Sequence, residues 1–339
     1  MKKIKSGFIL PSAACNVKKN QIKFYEMKDK EPEVGDLVYG KILHTGCHKS
    51  LENQNGRIHT VSEGTKAIFI FGNRYAPDAY EGVVPCHFKN EVDLFARSGI
   101  IGEMKVKNTN SQDCTKIKIF GYVCNEDEKV INTRDFVNIK IKEEKQIKAK
   151  MILCIGSAMN SGKSLAAAKC CWALNAVGHN VNGCKITGTA SLKDILLMED
   201  CGAQNIADFT YLGYPSTYKL SETEILNIFK TLDYKYASKQ RYWVVEFADG
   251  ILQRETAMLL QSEIVRKRIH KLIYCAHDAT GIIGGISILK NKFNLFPDGL
   301  SGYFSSSPLA VNEIQEFVDL PYFDSMKNDL NQIAKIILE

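Results

Sequence analysis

The sequence predicts a chain in two parts. Residues 1–139 read as a small β-rich domain, barrel or sandwich-like, and residues 140–150 as a charged linker. Residues 151–339 read as an α/β domain with a mostly parallel sheet and helices on both faces. Three observations carry this. β-Branched and aromatic runs bounded by Gly, Asn and Asp fill the first part. From Met151 onward, strand-like apolar runs alternate with helix-like ones, the pattern of βα units. The first of those strands runs into a Gly-Lys-Ser loop at the head of a helix.

In the first part, "DLVYGKILH", "TKAIFIFG" and "TKIKIFGYV" read as strands. "ENQNG" before Arg57 is a hairpin-type turn, because Asn-Gly accepts positive φ cheaply. About five or six short strands and one helix near 93–97 are expected; alternation alone leaves barrel and sandwich open. "KIKEEKQIKAK" over 140–150 has no apolar face and reads as the connector.

In the second part, "MILCIG" is an apolar strand, followed by the Ala- and Leu-rich helix "GKSLAAAKCCWALNAVG", which Gly178 ends. "VNGCKIT" is the next strand. "SETEILNIFKTL" opens with a capping box from Ser221 to Glu224. "YWVVEFAD" is a strand and "LQRETAMLLQSEIVRKRI" one amphipathic helix. "KLIYCAH" and "LSGYFS" read as strands; "TGIIGGISIL", "AVNEIQEFV" and "KNDLNQIAKIILE" read as helices. In such sheets ligands bind beyond the carboxyl ends of the strands.

No run approaches 18 apolar residues, so no transmembrane helix is expected. The apolar stretch near the N-terminus is about four residues, below the roughly 7–15 of a signal peptide, and reads as the start of the folded protein. Eleven cysteines without a C-x-x-C pair suit reduced thiols and a cytoplasmic location. The basic excess lies in residues 1–150, with 26 Lys and Arg against 19 Asp and Glu. A solvated surface is the simplest reading; a phosphate-rich or nucleic-acid partner is the less favoured one.

The segment "GSAMNSGKS" (156–164) carries the chemistry. Against G-x-x-x-x-G-K-[ST] its first glycine, Gly156, sits one place early. Gly162 lets the backbone approach phosphate oxygens, and the helix that follows offers unpaired N–H groups and a positive dipole end. Lys163 would meet β/γ-phosphates and Ser164 would ligate Mg²⁺. The nucleotide-binding candidates are Gly156, Met159, Asn160, Ser161, Gly162, Lys163 and Ser164. Glu246, an acid closing the apolar run "YWVV", has few structural explanations, because a buried unpaired carboxylate is costly.

These residues resemble the dethiobiotin synthetase-like (SIMIBI) group of P-loop NTPases, whose loop G-T-D-T-G-V-G-K-T also has its first glycine one place early. "ALNAVGHNVNGCKITGTA" is similar to that family's helix–turn–strand ending in G-x-K-P-V-x-S/T-G. "YWVVEFADG" resembles its W-V-L-V-E-G-A-G-G strand, and "LSGYFSSSPLAVNEIQEFVDLPYF" its late strand and helix. The resemblance covers about 151–325 in patches and leaves the first part unassigned.

The resemblance implies an ATP- and Mg²⁺-dependent enzyme that passes the γ-phosphate to a small-molecule acceptor, as a kinase or ligase. Lys163, Lys185 and Glu246 are then the catalytic residues, Lys185 touching both acceptor and phosphate. Thr187 and Thr189 follow Lys185 and are placed to bind an oxyanion; Ser216 joins them in lining the acceptor pocket. Mg²⁺ falls to Ser164, Glu246 and a second acid, Asp194 or Asp208, with Asp208 preferred. A homodimer with interfacial sites is a further implication.

The departures point elsewhere. Phe247, Ala248 and Asp249 replace the glycines after the third-strand acid, so the family's own substrate is not expected. Ala158 stands where partition-type ATPases carry a second lysine. No N-K-x-D occurs, so ATP rests on the resemblance and GTP stays open. The competing class is a nucleotide-dependent regulatory or binding NTPase whose basic β-rich domain contacts a protein or RNA. His44, Cys47, His48, Cys86 and His87 match no zinc spacing and read as ordinary strand or turn residues. "FGNRYAPDAYEGVVP" (71–85) reads as a packed connection or a lid.

Overall fold

The structure is a computed structural model and describes residues 1–5, 7–137, 148–237 and 241–339. The linker expected at 140–150 therefore lies, for 140–147, outside the described residues. Two compact units are present. The first comprises Met1–Ile139, Thr189–Leu192 and Phe209–Lys219; the second comprises Lys140–Gly188, Lys193–Asp208 and Leu220–Glu339.

Among the described residues the first unit holds eleven strands. They are β1 (Lys2–Lys3), β2 (Phe24–Glu26), β3 (Leu37–His44), β4 (Ser50–Glu52), β5 (Ile58–Thr60), β6 (Lys66–Phe71), β7 (Arg74–Ala76), β8 (Tyr80–Val83), β9 (Glu91–Leu94), β10 (Ile100–Lys107) and β11 (Thr115–Cys124). Pairing runs β11–β3–β6–β10, and β9 pairs with both β10 and β11, so five strands close on themselves. The open choice between sandwich and barrel is settled as a barrel, with β6–β10 its parallel pair. Alternation fills it: Val38, Ile42, Ala67, Phe69, Phe71, Val92, Leu94, Ile117 and Ile119 share one core. The helix expected near 93–97 is corrected to β9, because Val92 and Leu94 point inward at strand spacing. The Asn-Gly turn joins β4 and β5, with the Asn53 side chain accepting from the N–H groups of Asn55 and Arg57.

Among the described residues the second unit has six strands: β12 (Lys150–Gly156), β13 (Val181–Lys185), β14 (Ile206–Asp208), β15 (Tyr242–Glu246), β16 (Ile269–Cys275) and β17 (Gly299–Ser301). Their order is β14–β13–β15–β12–β16–β17, and every pair is parallel. The helices are α1 (Lys163–Ala176), α2 (Leu192–Asp200), α3 (Glu222–Tyr236), α4 (Arg254–Gln261), α5 (Glu263–Arg266), α6 (Ala279–Phe293), α7 (Pro308–Gln315) and α8 (Leu330–Leu338).

One sheet face presents Ile152, Cys154, Val244, Ile273 and Cys275 to α1 and α8. The small residues Ala166, Ala167, Cys170 and Cys171 let α1 lie close on that face. On the other face Trp243 meets Phe229 of α3, ring centroids 5.8 Å apart. Tyr274 packs on α6 at Gly285, where a Cβ would lie 1.7 Å from the phenol oxygen.

The capping box at Ser221 and Glu224 is present. Gly178, at φ +82°, follows the end of α1. The single amphipathic helix expected over 252–269 is instead two. Ser262 takes an extended conformation (φ −70°, ψ 123°) and its N–H bonds back to Met258 and Leu259, ending α4 before α5 begins. Among the described residues no helix is long and apolar enough to cross a membrane.

Candidate functional site

The site lies at the carboxyl edge of the parallel sheet. β12 ends at Gly156, and the loop to α1 folds back tightly enough to demand it: a Cβ there would sit 2.2 Å from Ser161 Oγ and 2.8 Å from the Cys275 carbonyl oxygen. Asn160 (φ +60°) and Gly162 (φ +97°) turn the chain into α1. No side chain caps α1 and no acid occupies its first turn, so its N–H groups and dipole are left to an anion.

Lys163 is 5% exposed. Its Nζ donates to the Ala158 carbonyl oxygen at 2.6 Å and to Ser161 Oγ at 3.3 Å. Burial lowers its pKa, against the pull of Glu246 and Asp249. A lysine curled onto its own loop, and penalised for being charged there, has a charge to give to a phosphate.

Ser164 Oγ donates to Glu246 Oε1 at 2.9 Å. Glu246 is 1% exposed, and its Oε2 is buried with no hydrogen-bond partner among the described residues. Burial raises its pKa despite Lys185 and Lys163 nearby. A hydroxyl and a half-satisfied buried carboxylate beside an uncapped helix N-terminus are a donor set that fits Mg²⁺.

Strand register lines up the other charges. Lys185, the last residue of β13, stands opposite Glu246 on one side and Asp208 on the other. Lys185 Nζ pairs with Asp194 of α2. Burial opposes its charge, but Asp194 and Glu246 outweigh it and hold the pKa above the usual lysine range. Asp208 ends β14, two strand spacings or roughly 10 Å from Glu246 along the sheet. Thr187 Oγ1 is buried and donates to the Ala248 carbonyl oxygen, beside Thr256 Oγ1 at 3.3 Å.

The structure thus gathers Gly156, Met159, Asn160, Ser161, Gly162, Lys163, Ser164, Lys185, Thr187, Asp208 and Glu246 in the second unit. Thr189 and Ser216 lie in the first unit, where they bridge to each other and Ser216 Oγ donates to the Asn73 carbonyl oxygen. In that unit His44 meets Glu63 and His48 meets Tyr80.

Sequence reasoning missed three features. Asp194 is the partner of Lys185, a pairing that depends on the unannounced helix α2. Gly302, after β17, lies against the loop, 2.8 Å from where a Cβ on Gly162 would stand. Beside it Tyr303 stacks on His277, ring centroids 4.8 Å apart and ring planes nearly parallel, both exposed. The lone glycine of "LSGYFS" is the one signal that pointed there.

Strand, glycine-bounded loop, Lys-Ser at the head of a helix, and an acid ending the adjacent strand together make the second unit a P-loop NTPase fold. No protein-family model matches the chain, and no curated protein matches it. Among solved structures, the signal recognition particle receptor FtsY from Elizabethkingia anophelis in complex with GDP is 9% identical, covering 62% of this chain and 75% of that one, with a TM-score of 0.40. A second structure of FtsY from the same organism is 11% identical, covering 55% of this chain and 61% of that one, with a TM-score of 0.35. The 54 kDa signal recognition particle protein from Aeropyrum pernix K1, in complex with GDP, is 12% identical over 57% and 47%, TM-score 0.34. The P-loop assignment rests on the site's own geometry.

Proposed function

We propose that this chain is a Mg²⁺-dependent P-loop nucleoside triphosphatase whose nucleotide state is read out through the β-rich unit. The observation that carries the first half is the Ser164–Glu246 pair with its unpartnered Oε2, beside the uncapped start of α1. In this reading Lys163 and the loop amides hold the β- and γ-phosphates, and Ser164 and Glu246 hold the metal. Bound Mg²⁺ neutralises charge on the phosphate oxygens; the protein's own part is positioning and electrostatics. ATP is named on the resemblance, with GTP competing in the same assay.

The second half is supported by chain connectivity. The chain leaves the second unit directly after Gly188 and directly after Asp208, and both excursions are built into the β-rich unit. A change at Lys185 or Asp208 is therefore passed along the covalent chain. The β-rich unit would meet a protein or RNA partner. Eleven free thiols suit a reducing cytoplasm.

A second reading, transfer of the γ-phosphate to a small-molecule acceptor by a kinase or ligase, is favoured by one observation: Lys185 stands beside Glu246 at the strand edge. There it would neutralise charge growing on an acceptor oxygen, with Thr187 nearby. Lys185→Ala separates the readings. Acceptor transfer requires turnover to collapse with nucleotide affinity kept. The triphosphatase reading expects ADP release without any acceptor, altered by the macromolecular partner; no release without an acceptor overturns it.

A further inference from the structure

The outer face of the barrel carries a charge pattern that folding does not explain. Val38, Ile42, Ala67, Phe69, Ile117 and Ile119 face the core, so the residues alternating with them on β3, β6 and β11 face outward. On that outer face strand register sets Lys118 of β11 opposite Lys41 of β3, and Lys41 opposite Lys66 of β6. Three lysines thus form one row across strands that lie about 4.7–4.9 Å apart. Like charges directly opposite each other destabilise a sheet. Lys66 and Lys118 are exposed and Lys41 is half-buried; among the described residues none of the three makes a hydrogen bond or an ion pair. Glu91 of β9 stands opposite Lys118 in register, yet the two close no ion pair. Lys116, the next outward lysine on β11, is by contrast paired with Asp93 at 2.7 Å.

The same face carries aromatic rings beside the row. Tyr39 precedes Lys41 by two residues, and Phe120 follows Lys118 by two, at the register shift between Ile119 and Gly121. Gly121 lets β2 close on β11, since a Cβ there would stand 2.6 Å from the Glu26 carbonyl oxygen, and this brings in Tyr25. Ring centroids lie 5.1 Å apart for Tyr25 and Tyr39, 5.4 Å for Tyr39 and Phe120, and 6.4 Å for Tyr25 and Phe120. Tyr39 is 6% exposed and backs the other two, which are half-buried. Lys2 of β1, exposed, stands opposite Tyr25.

A row of unpaired cations is relieved by an anion, and rings next to it offer π-faces. An unpaired strand of nucleic acid answers both, with a phosphate and an open base at every step. A duplex stacks its bases away, and an anionic lipid surface offers charge without rings. On the reading that the β-rich unit meets the partner, we propose that this face binds single-stranded nucleic acid, with Lys41, Lys66 and Lys118 on phosphates and Tyr25 and Phe120 stacked on bases.

Fluorescence anisotropy on the full chain, without nucleotide, tests this with a labelled single-stranded RNA of about 12 nucleotides, its DNA counterpart and the RNA duplex. At least one single strand should bind about tenfold tighter than the duplex, the tighter of the two naming the source. Lys41→Gln, Lys66→Gln and Lys118→Gln combined should weaken binding at least about tenfold at roughly 0.1 M salt. The slope of log affinity against log salt should fall by about 2, from three contacts at roughly 0.7 each. With the like-charge row relieved, that variant should melt no lower than wild type, so lost binding is not lost folding. Phe120→Leu should weaken binding about tenfold and leave the salt slope unchanged. No binding of either single strand, with or without capture on phosphatidylserine vesicles, overturns the proposal. So does a duplex bound as tightly as the strands, or binding undiminished in the lysine variant. Strand binding indifferent to Mg²⁺–ATP keeps this interface and removes only the nucleotide readout; nucleotide binding without strand binding does the reverse.

Discussion

Replacing Glu246 with Gln removes a charge and keeps the shape. Without ligand, Glu246 is buried, takes one hydrogen bond from Ser164 at 2.9 Å, and leaves its second oxygen unpaired. A buried polar atom without a partner costs about 1–3 kcal/mol, and more when charged. Burial outweighs the two nearby lysines and raises the carboxyl pKa, so folding opposes the charge on this group. Glu246→Gln should therefore stabilise the ligand-free second unit by about 1–3 kcal/mol, at roughly 2–4 °C per kcal/mol for a unit of about 150–250 residues. Ligand should reverse the order. A nucleotide at about 100 times its Kd stabilises by about 2.7 kcal/mol, and the variant should lose that Mg²⁺-dependent increment. Differential scanning fluorimetry with and without Mg²⁺–ATP reads both effects. A variant that melts lower than wild type without ligand, yet keeps the full ligand shift, would refute the assignment of Glu246 to the metal.

Two further substitutions probe the loop and its surroundings. Gly162→Ala forces a side chain onto φ +97° and toward Gly302 Cα, a strain of about 1–2 kcal/mol before the clash; calorimetry should show nucleotide affinity down at least about tenfold, and unchanged affinity contradicts the geometry. Asp194→Asn strips the closest counter-charge from buried Lys185 and should destabilise the second unit by on the order of 3 kcal/mol in urea; a loss under about 0.5 kcal/mol would mean that Glu246 alone holds the lysine.

Local features were legible in the sequence. The apolar run, the Gly-Lys-Ser loop and the Ala-rich helix follow from residues within one turn or strand of each other. Glu246 could be read as well, because an acid closing "YWVV" breaks a burial pattern. At β9 four residues give too little alternation to set strand against helix, and pairing with β10 and β11 decides the matter. The break at Ser262 was hidden by continuous amphipathic spacing. Non-local features left no mark. Asp194 meets Lys185 only because α2 returns over the sheet. The place of 209–219 in the β-rich unit rests on distant bonds such as Thr133 Oγ1 to the Gly213 carbonyl oxygen, 2.6 Å. Barrel closure likewise depends on β9 pairing on both sides, which no window of sequence contains.

The most direct test is a calorimetric titration of ATP and GTP into the full chain, with Mg²⁺ and with EDTA, repeated on Lys163→Ala. We expect one site per chain for at least one of the two nucleotides, weakened by EDTA and lost in the variant. Binding that survives Lys163→Ala, or that is indifferent to Mg²⁺, would place the nucleotide elsewhere and contradict the site.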